Sequence, residues 1–262
     1  MRDYGPDAVI FDLDGVITFT ARLHAAAWKQ LFDDYLRVEA ERGGKPFLPF
    51  DAEADYHAYV DGKPRYDGVQ SFLESRGIKL PRGTPSDPPS AETICGLGNR
   101  KNGLFNQKVR EMGVDVDEGA VRFVRELREF GVHVGLASSS KNAVPILEQV
   151  GILDLFEAVV DGVVSERRHL RGKPQPDIFV ECLRELTGQI KSERAAIVED
   201  AIAGVQAGRL GGFGLVLGVD RSGSGALQRN GADWTIRDFS EISARAVFDY
   251  FADRGQKAAG GR

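Results

Sequence analysis

Two acidic residues, Asp12 and Asp14, follow a short apolar run near the start of the chain. Alternate residues of an extended chain project to the same side, so both carboxyl groups are expected to face one cavity while Leu13 turns into the core. Two acids this close repel each other unless a cation or a proton lies between them. Gly15 allows the tight turn that leaves the strand. A surface Asp-Gly turn is the alternative, but the preceding apolar residues place the pair at the end of a buried strand.

Three further segments carry side chains of the kind that bind phosphate or a metal ion. Ser138 and the amide of Ser139 precede a predicted helix, whose first N–H groups attract anions; a helix N-cap is the alternative and is compatible with that role. Two prolines fix the backbone around Lys173, whose ammonium could neutralise a phosphate oxygen and a nucleophile. Glu199 and Asp200, opposite the first acid pair, would make an all-oxygen site suited to Mg²⁺, unless Asp200 is only an N-cap.

Short apolar runs, each followed by a turn signal and a helical pattern, predict the strands that position these residues. The predicted strands are 8–11, 132–137, 158–160, 195–198 and 213–217, and the predicted helices are 119–130, 141–150, 175–187 and 201–210. This alternation indicates an α/β fold with a doubly wound (Rossmann-like) parallel sheet. Ligands of such sheets bind beyond the carboxyl ends of the strands, so the polar segments should converge there.

Residues 20–105 interrupt the alternation of strands and helices. They show amphipathic helical character without a buried strand, and the stretch is too long for a connecting loop in a compact sheet. We therefore expect a helical cap domain at 20–105, inserted after the first strand of a core domain formed by 1–19 and 106–254. The Gly-rich segment 255–262 is predicted to be a disordered tail.

Composition excludes several classes of protein. The net charge of −5 argues against nucleic acid as a partner. No apolar stretch approaches the roughly 20 residues that span a bilayer, and the apolar run before Asp12 is too short for a signal peptide. Cys95 and Cys182 share no spacing typical of a disulfide framework or a zinc site. We expect a cytoplasmic protein without a membrane partner, as a monomer or weak homo-oligomer.

The order of these motifs resembles the haloacid dehalogenase superfamily and, more narrowly, its β-phosphoglucomutase subfamily. The resemblance covers the core at 7–20 and 105–245 and is patchier in the cap. It rests on five segments: Phe11-Asp-Leu-Asp-Gly-Val-Ile-Thr18, Asn99-Arg-Lys-Asn102, Ala137-Ser-Ser-Ser-Lys-Asn142, Lys173-Pro-Gln-Pro-Asp-Ile-Phe179 and Glu199-Asp-Ala-Ile-Ala-Gly204.

The resemblance implies a role for each matched core residue. Asp12 would attack phosphorus and become an aspartyl phosphate. Asp14 would protonate the leaving oxygen and deprotonate the incoming hydroxyl. The ligands of Mg²⁺ would be Asp12, the backbone carbonyl of Asp14, Glu199 and Asp200. The transferring phosphoryl group would be held by Ser138, the Ser139 amide and Lys173.

In the cap, the resemblance implies a second phosphate site. Arg65 would grip the substrate's spectator phosphate in a bidentate way. His24 would position Asp14, unless it is a solvent-facing helix residue, and Thr20 matches the family's cap entry beside it. Trp28 could stack on a sugar, although aromatics at helical spacing are more often core. The remaining matched substrate contacts are Gly62, Lys63 and Lys101 in the cap and Ser140, Lys141 and Asn142 in the core.

Two positions depart from the family pattern: Asp61 stands where the family usually has a lysine, and Phe19 stands where the mutase has an acid. The predicted function is interconversion of β-glucose 1-phosphate and glucose 6-phosphate through a bisphosphate. A sugar-phosphate phosphatase shares the same core chemistry and differs only in admitting water as acceptor. A non-catalytic sugar-phosphate sensor is the third reading, and it would be marked by loss of an acid. No acid of the motifs is lost.

Overall fold

A computed structural model describes residues 5–44, 46–186 and 189–259, the last five of them by backbone alone. The chain forms two compact units: unit 1 comprises Met1–Phe19 and Val116–Arg262, and unit 2 comprises Thr20–Asp115. The first boundary coincides with the predicted start of the cap. The second lies at Asp115 instead of residue 105, because the last helix of unit 2 continues to Met112.

Unit 1 is built on a six-stranded sheet in the order β3-β2-β1-β4-β5-β6, with every neighbouring pair parallel. The strands are β1 Ala8–Phe11, β2 His133–Ala137, β3 Ala158–Val160, β4 Ala195–Glu199, β5 Leu215–Val219 and β6 Trp234–Ile236. Strands β1, β4 and β5 are buried along their whole length, as expected when helices cover both faces of a parallel sheet. The predicted doubly wound α/β fold is confirmed.

Unit 2 is helical, and its described residues contain no strand. Its elements are α1 Ala21–Gly43, a π-helical turn at Tyr56–Val60, α2 Arg65–Ser75 and α3 Ile94–Met112. The core of this unit is a stack of aromatic rings. Phe32 lies with its ring centroid 5.2 Å from Trp28 and 4.1 Å from Phe72. This burial of several aromatic side chains gives the helices a hydrophobic core of their own.

The helices of unit 1 are α4 Glu118–Glu129, α5 Ala143–Gln149, α6 Gly162–Arg167, α7 Asp177–Leu186, α8 Ile202–Leu210, α9 Ala226–Arg229 and α10 Ala244–Ala259. Because α10 includes 255–259, the prediction of a disordered tail is wrong for those residues, and 260–262 lie outside the described residues. Of the helices that the structure describes, none is long and apolar enough to cross a membrane.

The register of the central strands brings the polar segments to one edge. Phe11, the last residue of β1, pairs with Leu136 of β2 on one side and with Val198 of β4 on the other. The amide of Asp12 then donates to the carbonyl of Val198 at 2.9 Å, so the hydrogen-bond ladder continues to Asp12. The residues that follow β1, β2 and β4 therefore lie next to one another at the carboxyl edge of the sheet.

Candidate active site

A buried ion-pair cluster lies at the carboxyl edge of the sheet. The Nζ atom of Lys173 is 2.6 Å from Oδ1 of Asp12 and 2.5 Å from Oε1 of Glu199, and the lysine side chain is only 1% exposed. The acids come from the ends of β1 and β4, while Lys173 comes from the turn before α7. The ring of Phe179 lies 4.8 Å from the same ammonium and shields it from water. A charge this deeply buried is tolerated only when it is paired.

Burial, and after it the neighbouring charges, shift the pKa values in this cluster. Burial raises the pKa of Asp12 to about 8, against the opposing effect of Lys173, and the carboxylates of Glu199 and Asp14 add to the rise. Burial alone would lower the pKa of Lys173, but the charges of Asp12 and Glu199 outweigh it and the pKa is raised. The ammonium therefore stays charged, and a further cation at this edge would favour the ionised form of Asp12.

The loop after β1 brings the two acid pairs together. Gly15 has a φ of +90°, which glycine adopts without strain. A Cβ at this position would lie 1.8 Å from Oδ2 of Asp200, so only glycine lets that carboxylate approach the loop. Asp14, the residue before it, accepts a long hydrogen bond of 3.5 Å from the hydroxyl of Ser138.

The acids at this edge offer carboxylate oxygens, which are suitable ligands for magnesium. Both oxygens of Glu199 already accept hydrogen bonds, one from Lys173 and one, at 2.8 Å, from the amide of Ala201. Within the described residues, no group of three or more His, Cys, Asp or Glu side chains is arranged to hold a metal ion by itself. Magnesium tolerates such a site, because it usually keeps waters and takes few carboxylates together with substrate phosphate. Asp12 and Asp200 are then the side chains best placed to bind it.

The turn after β2 is organised around Ser138, which is completely buried. The hydroxyl of Ser138 accepts a hydrogen bond from the amide of Ser140 at 3.1 Å, and the hydroxyl of Ser140 accepts from the amide of Asn142 at 3.2 Å. Ser139 lies between them, with its carbonyl facing Gly162. These bonds shape a compact turn of the type that presents amides and hydroxyls to an anion.

The other matched residues of this turn have local partners. The ammonium of Lys141 lies 2.7 Å from the carboxylate of Glu166, at the surface of unit 1. Asn142 is the residue before α5 and makes no side-chain cap there. Their placement directly after Ser138 keeps both residues on the site edge of unit 1.

In unit 2, the matched residues of α1 and α3 form a second cluster. The ammonium of Lys101 lies 2.5 Å from Nδ1 of His24 and sits over the rings of Trp28 and Phe105. The ring of His24 stacks on Phe105 at 3.9 Å, so the reading of His24 as a solvent-facing residue is wrong. Trp28 is part of the core of unit 2, as the alternative reading of the aromatics expected. Thr20 is buried at the start of α1, where its carbonyl accepts from the amide of His24 at 2.9 Å.

The segment before α2 carries the remaining cap residues. Gly62 turns the chain with a φ of +69°, and Arg65 is the first residue of α2. Lys63 donates to the hydroxyl of Ser71 at 2.9 Å, and burial lowers the pKa of its ammonium. The carboxylate of Asp61, at the position where the family has lysine, pairs with Nδ1 of His57 at 2.9 Å.

The guanidinium of Arg65 is held by stacking, whereas the ammonium of Lys63 is held by a hydrogen bond. The guanidinium lies 5.2 Å from the centre of the Tyr66 ring, and its Nε is buried without a hydrogen-bond partner in the part of the chain that the structure describes. A guanidinium with spare donors, fixed by stacking, suits a bidentate phosphate contact.

The structure adds a residue that the sequence reasoning missed. Arg221 follows β5 and donates to the carbonyl of Gly15 from Nη2 at 3.1 Å and from Nε at 3.3 Å. The same Nη2 lies 2.7 Å from the carboxylate of Asp117, which caps α4 by accepting from the amide of Ala120. The guanidinium also covers the ring of Phe19 at 4.7 Å, at the position where the mutase has an acid. Arg221 thereby contacts the loop that carries Asp14 at two points, Gly15 and Phe19.

Comparison with known proteins identifies relatives along most of the chain. A sequence model described as haloacid dehalogenase-like hydrolase matches residues 6–212. A protein of Mycobacterium tuberculosis named beta-phosphoglucomutase is 47% identical over 239 residues, which cover 90% of this chain and 90% of that protein. The Bacillus subtilis protein of the same name is 32% identical over 243 residues, covering 92% and 94%. A crystal structure of beta-phosphoglucomutase from Clostridium difficile has the same fold, with a TM-score of 0.74, 24% identity and coverage of 95% and 98%.

Proposed function

The chain belongs to the haloacid dehalogenase-like hydrolase family, and we propose that it is a magnesium-dependent β-phosphoglucomutase. It would interconvert β-glucose 1-phosphate and glucose 6-phosphate through a bisphosphate and an aspartyl-phosphate enzyme. The observation that carries the phosphoryl-transfer chemistry is the buried pairing of Lys173 with Asp12, beside Asp14 and the Ser138 turn. The choice of sugar phosphate is supported by the 47% identity to a relative named beta-phosphoglucomutase.

Asp12 acts as the nucleophile in this proposal. Only its ionised form attacks phosphorus, and the ammonium of Lys173 at 2.6 Å favours that form against the effect of burial. Magnesium, when bound by Asp12 and Asp200, would supply positive charge to the transferring phosphoryl group and to the nucleophile. Lys173 and the amides of the Ser138 turn would neutralise and orient the phosphoryl oxygens.

Asp14 acts as the general acid and base. Its position two residues after Asp12 puts both carboxyl groups on one side of the chain, as the transfer of a proton to the leaving oxygen requires. The amide of Ser140 occupies a lone pair of the Ser138 hydroxyl at 3.1 Å, which directs the hydroxyl proton outward, towards Asp14. The carbonyl that follows Asp14 is fixed by Arg221, so the loop that carries the proton donor is held from two directions.

A mutase, unlike a phosphatase, must hold the spectator phosphate so that a sugar hydroxyl and not water accepts the phosphoryl group. Arg65 is the proposed residue for this contact, because its guanidinium is stacked and its Nε is buried without a partner among the described residues. Loss of that contact should reduce transfer to the sugar far more than attack on a small ester.

The deciding experiment incubates purified protein with magnesium, β-glucose 1-phosphate and a trace of the bisphosphate, and follows glucose 6-phosphate and free phosphate together. Isomerisation without release of phosphate supports the mutase. Free phosphate as the main product would establish the phosphatase instead, and binding without turnover of any sugar phosphate would establish the sensor.

An Arg65→Ala variant tests the second phosphate site. We expect a loss of about 2–4 kcal/mol of transition-state stabilisation with the sugar phosphate, or roughly 30- to 1000-fold in kcat/KM, from a lost charge-assisted contact. Hydrolysis of p-nitrophenyl phosphate, which lacks a second phosphate, should be nearly unchanged. Arg42→Ala is the matched control, because Arg42 is an exposed arginine of unit 2 paired with Glu39 and Glu92. Equal loss with both substrates would count against the second site.

A further inference from the structure

A long connection between α2 and α3, residues 80–93, contains neither helix nor strand yet is densely hydrogen-bonded. The carboxylate of Asp87 accepts from the hydroxyl of Thr93 at 2.6 Å and from that of Thr84 at 2.9 Å. The amide of Ile94, the first residue of α3, donates back to the carbonyl of Pro81 at 3.0 Å. The connection is therefore a folded part of unit 2.

Asn99 joins this connection to α2. Its Nδ2 donates to the carbonyls of Pro85 and Asp87, at 3.0 Å and 2.9 Å, while its Oδ1 accepts from the hydroxyl of Tyr66 at 2.9 Å. Both ends of one amide are thus used to bridge two segments of the chain. The close approach depends on Gly98, since a Cβ there would lie 2.6 Å from Cδ1 of Tyr66.

A second link between the connection and α2 is weaker. Arg82 donates to the side chain of Gln70 at 3.2 Å and lies 3.5 Å from the carboxylate of Asp67. These groups are exposed, and ion pairs of that kind contribute at most about 1 kcal/mol. The bridge through Asn99 and Tyr66 is therefore the main tie.

We infer that residues 80–93 act as a brace for Arg65, with Asn99 and Tyr66 as positioning residues. The guanidinium of Arg65 lies over the Tyr66 ring, so a ring fixed by its hydroxyl fixes the direction of the guanidinium. Neither Asn99 nor Tyr66 needs to touch the sugar phosphate for this effect. The inference rests on the proposed function, since it concerns how well Arg65 holds the spectator phosphate, and it gives the extended cap connection a role in substrate selection.

Tyr66→Phe tests the brace with the smallest change, because it removes one hydroxyl and keeps the ring under Arg65. Loss of a hydrogen bond that contributes about 1 kcal/mol should raise KM for β-glucose 1-phosphate about 5-fold. Asn99→Ala removes the whole bridge and should raise KM about 10-fold or more by the same argument. In both variants, kcat for hydrolysis of p-nitrophenyl phosphate should stay within about twofold of the wild-type value, because the residues of unit 1 that bind the transferring phosphoryl group are unchanged.

The control is Tyr250→Phe, which also removes a hydroxyl that accepts a hydrogen bond, from Arg254 at 2.9 Å in unit 1, and should leave KM unchanged. An unchanged KM in Tyr66→Phe and Asn99→Ala, together with a raised KM in Arg65→Ala, would overturn the brace alone. An unchanged kcat/KM for β-glucose 1-phosphate in Arg65→Ala would overturn the second phosphate site itself. Parallel losses with both substrates would show a general disturbance of folding and would also overturn the brace. If Asn99→Ala does not fold, Tyr66→Phe still decides.

Discussion

Replacement of Lys173 by methionine should destabilise the metal-free protein in a pH-dependent way. Methionine nearly matches the length of the lysine stem but leaves Asp12 and Glu199 without the ammonium that lies 2.6 Å and 2.5 Å from them. Removal of one partner from a buried ion pair typically costs about 3–5 kcal/mol, because the remaining charge is left uncompensated. We expect a loss of this size in the free energy of unfolding at about pH 9.5, where the carboxylate of Asp12 is ionised.

The sign of the pH dependence follows from Asp12. Its pKa is already raised to about 8, by burial above all, and would rise further without Lys173. A group whose pKa is raised on folding contributes its full stability below the pKa of the unfolded chain, which is about 4 for aspartate, and loses it as pH rises. Below about pH 8 the carboxyl group of Asp12 is protonated with or without Lys173, and above it only the wild-type carboxyl, with its ammonium partner, ionises readily. The cost of Lys173→Met should therefore be smaller at about pH 6 than at about pH 9.5.

Urea unfolding in the presence of a chelator, at both pH values, measures this difference directly. Lys29→Met is the matched control, since its ammonium pairs with Asp33 at 2.8 Å but is 44% exposed. The control should lose no more than about 1 kcal/mol at either pH. An equal loss for Lys173→Met at the two pH values, or a loss no larger than that of the control, would refute the reasoning about the buried cluster.

Three further outcomes test the site. Arg221→Met should lower kcat about 10-fold with little change in KM, because about 1–2 kcal/mol of hydrogen bonding to the Gly15 carbonyl is lost. A change confined to KM would contradict a positioning role for Arg221, and so would the absence of partial rescue in Arg221→Lys. Asp14→Asn should lower kcat by about 10²–10⁴-fold through loss of general acid catalysis, while calorimetry should show that phosphate binding is retained. Near-normal turnover would exclude Asp14 as the proton donor. Removal of divalent metal by a chelator should abolish turnover, and magnesium should restore it; full activity in chelator would exclude the metal.

Much of unit 1 could be predicted from the sequence because most of its strands are short, mainly apolar runs. The runs at 8–11 and 158–160 coincide with β1 and β3, and the polar segments after β1, β2 and β4 do meet at the carboxyl edge. The parallel register alone brings these segments together, because the carboxyl ends of paired strands lie at the same edge of the sheet.

The parts that escaped prediction have physical reasons. The sequence predicts a strand at 213–217, but β5 runs from Leu215 to Val219, so the apolar pattern does not place Arg221 near the end of a strand. Its bonds to Gly15 and Asp117 join distant parts of the chain, which no local pattern reveals. Strand β6 spans only three residues and is half-buried at the sheet edge, where the apolar signal is weak. The sequence predicts that the helical cap ends at 105, whereas unit 2 ends at Asp115 because α3 continues to Met112.

The cap contacts were still less accessible from the sequence. Asn99 was recognised only as part of a motif, and its bonds to Pro85, Asp87 and Tyr66 depend on how the connection folds back. The mixed neighbours of His24 leave a solvent-facing residue open as an alternative, but in the structure its ring stacks on Phe105 and pairs with Lys101. Periodicity reports which face of a helix is apolar and not which side chains meet across two helices.

The trio of Lys173, Asp12 and Glu199 has a consequence for the evolvability of the molecule. The three side chains are buried at the carboxyl edge of the sheet, and well-packed apolar side chains of similar volume are often neutral or more stabilising than a buried ion pair. A laboratory selection for heat resistance alone should therefore drift towards apolar residues at these positions, and a parallel selection for turnover should hold them fixed. Sequencing both populations would map where this enzyme gives up stability for chemistry.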